Sequence, residues 1–262
     1  MSIYIITFIF GAVVGSFLNV CIYRIPKGLS VVRPSSHCPS CGKPVRCYDN
    51  IPIISYIFLG GKCRSCGNRI SIQYPLVEFL NAVLYALAVW RFPYILWHLP
   101  AYFVFISAII IITFIDLEYQ IIPDSITLPG IPIGLILGST ILPDPFFRWE
   151  ALGFKASSIG ILLGGGLFYL TAIAGTAVFK KEALGGGDIK MMAMAGGFLG
   201  WKGVLLTTFL GSLFGSLIGL FLIVVKGREW GSRIPFGPYL ALGSLVSLFF
   251  GQEILMWYLY AG

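Results

Sequence analysis

Long apolar runs recur along this chain and constrain its fold more than any other feature. A bilayer is crossed by about 20 apolar helical residues, and eight runs approach that length. Hydrophobic residues make up 57% of the chain and charged residues only 11%, against about 25% charged residues in soluble domains. We therefore predict an all-α polytopic membrane protein and exclude a soluble nucleic-acid-binding protein. The predicted spans are residues 3–23, 75–91, 94–115, 125–143, 156–179, 187–200, 203–225 and 235–259.

The distribution of basic residues indicates which way these spans run. When the loops are assigned to alternate sides, only Arg91, Arg148, Lys155 and Lys202 of the 18 Lys and Arg residues fall on one side. By the positive-inside rule the other side is cytoplasmic, and both chain ends lie outside the cytoplasm. Because residues 1–4 lack a basic start, we expect the first span to stay in the membrane and not to be cleaved as a signal peptide.

One polar segment, residues 25–74, interrupts the apolar pattern between the first two spans and holds five of the six cysteines. We predict three parts: a first transmembrane helix at 1–24, a cytoplasmic insert at 25–74 and a multi-helix transmembrane core at 75–262. A segment of about 50 residues seldom folds alone without disulfides or a metal. The insert therefore requires a covalent or metal staple.

Two C-x2-C pairs supply such a staple, Cys38 with Cys41 and, after 21 intervening residues, Cys63 with Cys66. Paired knuckles of this kind are typical of a structural zinc site, in which four thiolates leave no open position for catalysis. Two disulfides are one alternative, which a reducing cytosol disfavours. A redox C-x2-C is the other, but it does not need a second copy.

The acidic residues, only 11 in number, are the candidates for chemistry, because an ionisable side chain within a span is costly unless it has a function. Asp116 ends an apolar run at the cytoplasmic end of the third span. Asp188 follows three glycines at the start of the sixth span, and glycines permit close approach of another backbone. The alternatives are a solvated helix end for Asp116 and a flexible loop with an N-cap aspartate for Asp188.

Asp116 and Asp188 are predicted on the same side of the membrane. Two carboxylates held close together share one proton, so that one activates water as a base while its protonated partner polarises the scissile amide. This is aspartic-peptidase chemistry. Asp124 is better explained as a helix N-cap, and Glu118 as a side chain that reaches water.

The ordered motifs of the chain resemble those of the type IV prepilin leader peptidases, a family of intramembrane aspartic peptidases with a G-x-G-D motif. The resemblance covers nearly the whole chain. It rests on Gly15–Val20 with Arg24–Pro26, the paired cysteine knuckles, Tyr48–Pro52, Gln73–Glu78, Asp116 with Ile122–Asp124, Gly185–Lys190 and Ile234–Tyr239.

The resemblance implies that Asp116 and Asp188 are the catalytic pair. They would cut the short basic leader from prepilin or pseudopilin precursors, the subunits of type IV pili and type II secretion systems, at the cytoplasmic face of the bacterial inner membrane. Many members also methylate the new N-terminal amine with S-adenosylmethionine, and a large cysteine-bearing insert is associated with those bifunctional members. The implied partners are thus these precursors and lipid, with zinc and S-adenosylmethionine as cofactors.

Asp49, Asn50 and Glu78 are the candidates for the methyl-donor site, because the resemblance includes them and Asp49 is the only acid in the insert. Each has a structural alternative. Asp49 and Asn50, ahead of Ile51 and Pro52, are typical of a turn. Glu78 would instead pair with an arginine of the insert.

The chain departs from the family pattern at three positions: Cys47 replaces an expected tryptophan, Gln73 an arginine and Ile122 a leucine. The first two lie in the part associated with methylation. Cys21 and Cys47 fall outside the C-x2-C pairs and are expected to be ordinary apolar residues.

Two other classes of protein remain as alternatives. An ion or small-solute transporter would bind its cation with the paired aspartates, but the sequence shows no homologous halves. A membrane scaffold would recruit a partner through its zinc knuckles and would not need Asp116 or Asp188. Small residues such as Gly11 and Gly15 are expected to let helices pack closely in any of these proteins.

Overall fold

The structure, a computed structural model, describes residues 2–92, 96–148, 150–180, 184–226 and 235–260. Within these residues the regular structure is helical and contains no β-strand, which confirms the all-α prediction. Short 3-10 helices cover Ile25–Lys27, Cys47–Asn50 and Leu96–His98. The α-helices are α1 (Ser2–Arg24), α2 (Ile54–Phe58), α3 (Gln73–Arg91), α4 (Leu99–Tyr119), α5 (Asp124–Thr140), α6 (Gly153–Phe179), α7 (Gly186–Lys226) and α8 (Gly237–Tyr260).

Several of the described helices are long and apolar enough to cross a membrane. These five segments are Ser2–Lys27, Leu99–Tyr119, Gly153–Val178, Gly186–Val225 and Gly237–Tyr260. They confirm a polytopic membrane protein, whereas the count of eight spans stays a prediction. Residues 94–95 of the predicted third span, and Ile234 of the last motif, lie outside the described residues.

The chain up to Ile111 forms one compact unit, in which glycines of α1 set the packing. A Cβ atom on Gly11 would lie 2.7 Å from Cα of Ala82, and one on Gly15 would lie 2.7 Å from Cα of Glu78. Helices α1 and α3 therefore run antiparallel in backbone contact. This confirms the predicted small-residue packing face.

The second compact unit begins at Ile112, and within it α7 changes direction at Gly200. This glycine has φ 69° and ψ 179°, a conformation that residues with a side chain rarely adopt. Helix α7 therefore has a first arm, residues 186–199, and a second arm, residues 201–226. The break coincides with the boundary between the predicted sixth and seventh spans.

The contacts of the two arms show a reversal of the chain. Ile122 packs against Gly187 at the start of the first arm and against Gly237 at the start of α8, so these two helices begin at the same end of the unit. The second arm runs antiparallel to α8. Its packed pairs with α8 are Gly203 with Ser247, Gly211 with Leu240 and Gly215 with Tyr239. The two arms therefore run in opposite directions.

Candidate active site and metal centre

Asp116 lies in the last turn of α4 and is buried, with 5% of its surface exposed. Its Oδ2 accepts a hydrogen bond from the backbone N–H of Gly237, the first residue of α8, at 3.0 Å. A Cβ atom on Gly237 would lie 2.6 Å from that oxygen. A larger residue there would push the carboxylate or the start of α8 away, so glycine is needed for this contact.

Asp188 lies in the first turn of α7 and is also buried, with 8% exposed. Its backbone N–H donates to the carbonyl oxygen of Gly185 at 3.1 Å. A Cβ atom on Gly187 would lie 2.7 Å from Cβ of Ile122. The glycines before Asp188 were predicted to let another segment approach closely. The contact between Gly187 and Ile122 confirms this prediction.

Asp116 on α4 and Asp188 on α7 lie near each other, since Gly237, which bonds Asp116, and Gly187, which precedes Asp188, both pack against Ile122. Each carboxylate is within range of the other's charge. Burial strengthens the repulsion between the two charges because little water is present to screen it. A single shared proton relieves it, and such a pair can act as an acid and a base in one reaction. The catalytic role of the two aspartates stays a prediction.

Lys190 forms an ion pair with Asp124 beside these aspartates, with its Nζ 2.7 Å from both carboxylate oxygens. The interpretation of Asp124 as an N-cap is wrong, since it is the first residue of α5 and its neighbour Pro123 occupies the cap position without a side-chain bond. Glu118 is exposed, as expected. Sequence reasoning missed both the Lys190 pair and the Gly237 amide, because nothing in their local spacing indicates a partner on another helix.

The thiols of Cys38, Cys41, Cys63 and Cys66 come together in the insert, with all four sulfur atoms within 4.8 Å of one another. The Sγ atoms of Cys38 and Cys66 lie 3.9 Å apart. A tetrahedral zinc ion with Zn–S bonds of about 2.3 Å requires sulfur separations of about 3.8 Å. The four thiols therefore fit a zinc ion.

The protonation of these thiols also favours a cation. The backbone N–H of Cys41 lowers the pKa of the Cys38 thiol to about 6. The backbone N–H of Asn68 lowers the pKa of Cys66, but the displacement of water by nearby protein atoms and the three neighbouring thiols outweigh it and raise the pKa to about 11. The Cys38 thiolate forms readily, and its negative charge opposes ionisation of Cys66. A bound cation is therefore needed to neutralise this repulsion if all four thiols are to ionise.

The two remaining cysteines differ from each other. Cys21 is buried in α1, as expected of an apolar residue. Cys47 is exposed at the start of a 3-10 helix, so that expectation is wrong for Cys47. Burial of a side chain on so short a helix depends on another segment packing over it, which the residue type does not determine.

Asp49 makes a bidentate ion pair with Arg64, whose Nε and guanidinium nitrogen lie 2.7 to 3.0 Å from the carboxylate oxygens. Arg64 holds the pKa of Asp49 below its usual value, so the carboxylate is ionised at neutral pH. Asn50 is exposed at the end of the same 3-10 helix. The predicted turn at Asp49 and Asn50 is therefore confirmed.

Glu78 is buried in α3 with 7% of its surface exposed. Its Oε2 accepts the backbone N–H of Ile53 at 2.7 Å, so the suggested partner, an arginine of the insert, is wrong. Ile53 has φ 63°, a region that β-branched residues seldom enter. Strained backbone of this kind is common where a functional group must be held in place.

Two family models match the chain in order. The model described as "Bacterial Peptidase A24 N-terminal domain" covers residues 9–92, and the model described as "Type IV leader peptidase family" covers residues 103–220. The chain belongs to the type IV leader peptidase family. The second model includes both aspartates, and the first includes the four clustered cysteines.

Several bacterial relatives have similar sequences over most of their length. The prepilin leader peptidase/N-methyltransferase of Pseudomonas aeruginosa is 35% identical over 280 residues, which cover 97% of this chain and 92% of that protein. The protein of the same description from Aeromonas hydrophila is 33% identical, covering 97% and 93%. That from Myxococcus xanthus is 38% identical, covering 84% of this chain and 63% of that longer protein. No solved structure matches the chain at a significant level.

Membership in this family confirms the prediction of a peptidase and disfavours the transporter and scaffold alternatives. Together with the five apolar helices, it identifies the chain as a multi-pass protein of the bacterial inner membrane.

Proposed function

We propose that the chain is an aspartic endopeptidase that removes the leader from type IV prepilin or pseudopilin precursors, with Asp116 and Asp188 as its catalytic pair. The observation that carries the proposal is the burial of two carboxylates, from different helices, within range of each other's charge. The names of the P. aeruginosa, M. xanthus and A. hydrophila relatives support the substrate class.

The surroundings of the pair support a different role for each aspartate. The N–H of Gly237 donates to Asp116 and favours the ionised form of that carboxylate. Asp116 is then the base, which takes a proton from water as the water oxygen attacks the scissile carbonyl carbon. Asp188 gives its proton to the carbonyl oxygen. As the resulting gem-diol collapses, the C–N bond breaks, the proton on Asp116 passes to the leaving nitrogen, and the diol returns a proton to Asp188.

The membrane arrangement that suits this reaction has eight spans, with the pair at the cytoplasmic face. The reversal at Gly200 supports this count, because it splits one long helix into two antiparallel arms. The excess of Lys and Arg on the same side as the aspartates supports the orientation. In this arrangement residues 1–24 are the first span, residues 25–74 the cytoplasmic insert and residues 75–262 the peptidase core.

The insert takes part in the second reaction, N-methylation of the new N-terminus, which the relatives' names include. S-adenosylmethionine supplies the methyl group when bound. Asp49, Asn50 and Glu78 would hold it, since carboxylates complement its sulfonium and ammonium charges and Asp49 is kept ionised by Arg64. A structural zinc ion held by Cys38, Cys41, Cys63 and Cys66 would keep the insert folded.

The proposal is tested with purified full-length protein in liposomes and a synthetic precursor that has a basic leader and an apolar helix. Mass spectrometry should show loss of the leader, and gain of one methyl group when S-adenosylmethionine is added. An intact precursor after prolonged incubation would reject the proposal. Cleavage without methyl transfer would reject its second half alone.

A further inference from the structure

Helix α2, the five-residue helix of the insert, has one exposed apolar face. Ile54, Ile57 and Phe58 expose 50%, 69% and 85% of their surface. Their spacing of i, i+3 and i+4 places them on the same side of the helix. The other side faces the insert, where Ser55 is buried and accepts the N–H of Ile51 at 3.1 Å. Exposed apolar surface of this kind marks an interaction site.

The position of α2 is set by its contact with α3, which packs in backbone contact along the apolar helix α1. Ile53, the residue before α2, donates its N–H to Glu78 at 2.7 Å. Glu78 lies five residues into α3, about 7.5 Å from its start at Gln73, and its backbone packs against Gly15 of α1. Gly15 lies nine residues, about 14 Å, before the end of α1 at Arg24. Helix α2 therefore lies beside the α1–α3 pair, within the length of the apolar helix α1 and not beyond its end.

The charge of the insert complements a membrane surface. Residues 25–72 contain seven Lys and Arg residues and one acid, Asp49, a net charge of 7 − 1 = +6. Four thiolates on one Zn²⁺ would lower it by two, to +4. Juxtamembrane basic segments are attracted to anionic lipids, and amphipathic segments with basic flanks lie in the interface with their apolar face in the acyl region.

We propose that α2 is an interfacial anchor, in which Ile54, Ile57 and Phe58 insert into the acyl boundary of the leaflet while the basic residues of the insert bind anionic headgroups. The lipid surface is the occupant because α2 lies beside the apolar helix α1 and because the insert around it is basic. The anchor fixes the cysteine knuckles at the membrane surface. It is independent of the catalytic assignment and goes beyond the two proposed reactions.

Photo-crosslinking in lipid nanodiscs tests the anchor on the full-length protein. Phe58 is replaced by p-benzoyl-phenylalanine, Phe58→Bpa, in nanodiscs of phosphatidylethanolamine and phosphatidylglycerol. Ser65→Bpa, an exposed position between the cysteines of the second knuckle, is the matched control. We expect mass spectrometry to find lipid adducts at position 58 and none at position 65. Adducts at position 58 to the protein's own chain, or to an added prepilin peptide, in place of lipid would overturn the anchor.

Two further measurements separate insertion from headgroup binding. Adding Ile57→Asp to the Phe58→Bpa protein should abolish the lipid adducts, while an unchanged zinc content shows that the insert is folded. Replacing phosphatidylglycerol by phosphatidylcholine should lower the adduct yield. Adducts that persist undiminished after Ile57→Asp would contradict insertion, and a yield that does not depend on the lipid charge would contradict headgroup binding.

Discussion

The carboxylate of Asp116 and the backbone N–H of Gly237 are joined by a 3.0 Å hydrogen bond that links the end of α4 to the start of α8. This bond fixes one oxygen of the candidate base and leaves the other for water. It also explains why a glycine stands at the start of α8, since a Cβ atom would lie 2.6 Å from the bonded oxygen.

Gly237→Ala is therefore expected to displace the base and to lower the cleavage rate about 100-fold, the usual cost of a misplacement near 1 Å. The rate of precursor cleavage in liposomes measures this loss. Gly166→Ala, in α6, is the control, because a Cβ atom there meets no neighbour within 4 Å. Equal rates for the two variants would show that the contact has no role in the reaction.

Asp116→Asn and Asp188→Asn are each expected to abolish detectable cleavage, since an amide can neither share the proton nor complete the acid–base exchange. The double variant should be no slower than either single one, because residues that act as a unit are not additive. Single-turnover cleavage is the measurement. Glu118→Gln, an exposed acid of the same helix, should keep the wild-type rate, and substantial activity in either aspartate variant would exclude the dyad.

Glu78→Gln should separate the two reactions. The amide oxygen of glutamine still accepts the N–H of Ile53, so the insert keeps its position while the negative charge is lost. We expect transfer of labelled methyl from limiting S-adenosylmethionine to fall by about 100-fold, in the range for loss of one partner of a buried charge pair. Cleavage of the leader should continue at close to the wild-type rate. Parallel loss of both activities would instead indicate a structural role for Glu78.

Cys38→Ser and Cys66→Ser are each expected to lose the bound zinc. The site needs four thiolates, and a serine hydroxyl is a poor substitute for one of them. Metal content of the purified protein, measured by mass spectrometry, checks this. Cys47→Ser is the control, since that exposed cysteine lies outside the cluster. Zinc retained in full by the Cys38 and Cys66 variants would remove the metal site.

Much of the fold could be predicted from the sequence because lipid restricts the choice of structure to helices. The break of α7 at Gly200 falls between two predicted spans, since an apolar run twice the membrane thickness must turn. The four clustered thiols were predictable from spacing, because a C-x2-C knuckle is a local structure. The two aspartates stood out because so few acids lie in apolar segments.

The contacts that position these groups could not be predicted. The Gly237–Asp116, Lys190–Asp124 and Ile53–Glu78 contacts join residues far apart in sequence. Each depends on how helices pack, which local sequence patterns do not show. The exposure of Cys47 was missed for the same reason, since its burial depended on segments that fold elsewhere.

The turn at Gly200 has a consequence for the depth of the aspartates. The first arm of α7, residues 186–199, is about 21 Å long at 1.5 Å per residue, whereas the hydrocarbon layer is about 30 Å thick. Residues 191–200 are all buried, so neighbouring helices and not lipid surround most of this arm. An arm enclosed by protein need not match the thickness of the bilayer, and its start at Asp188 can lie below the level of the headgroups. The enzyme would thus hold its aspartates in a recess of protein and admit water, its second substrate, without changing the membrane around it.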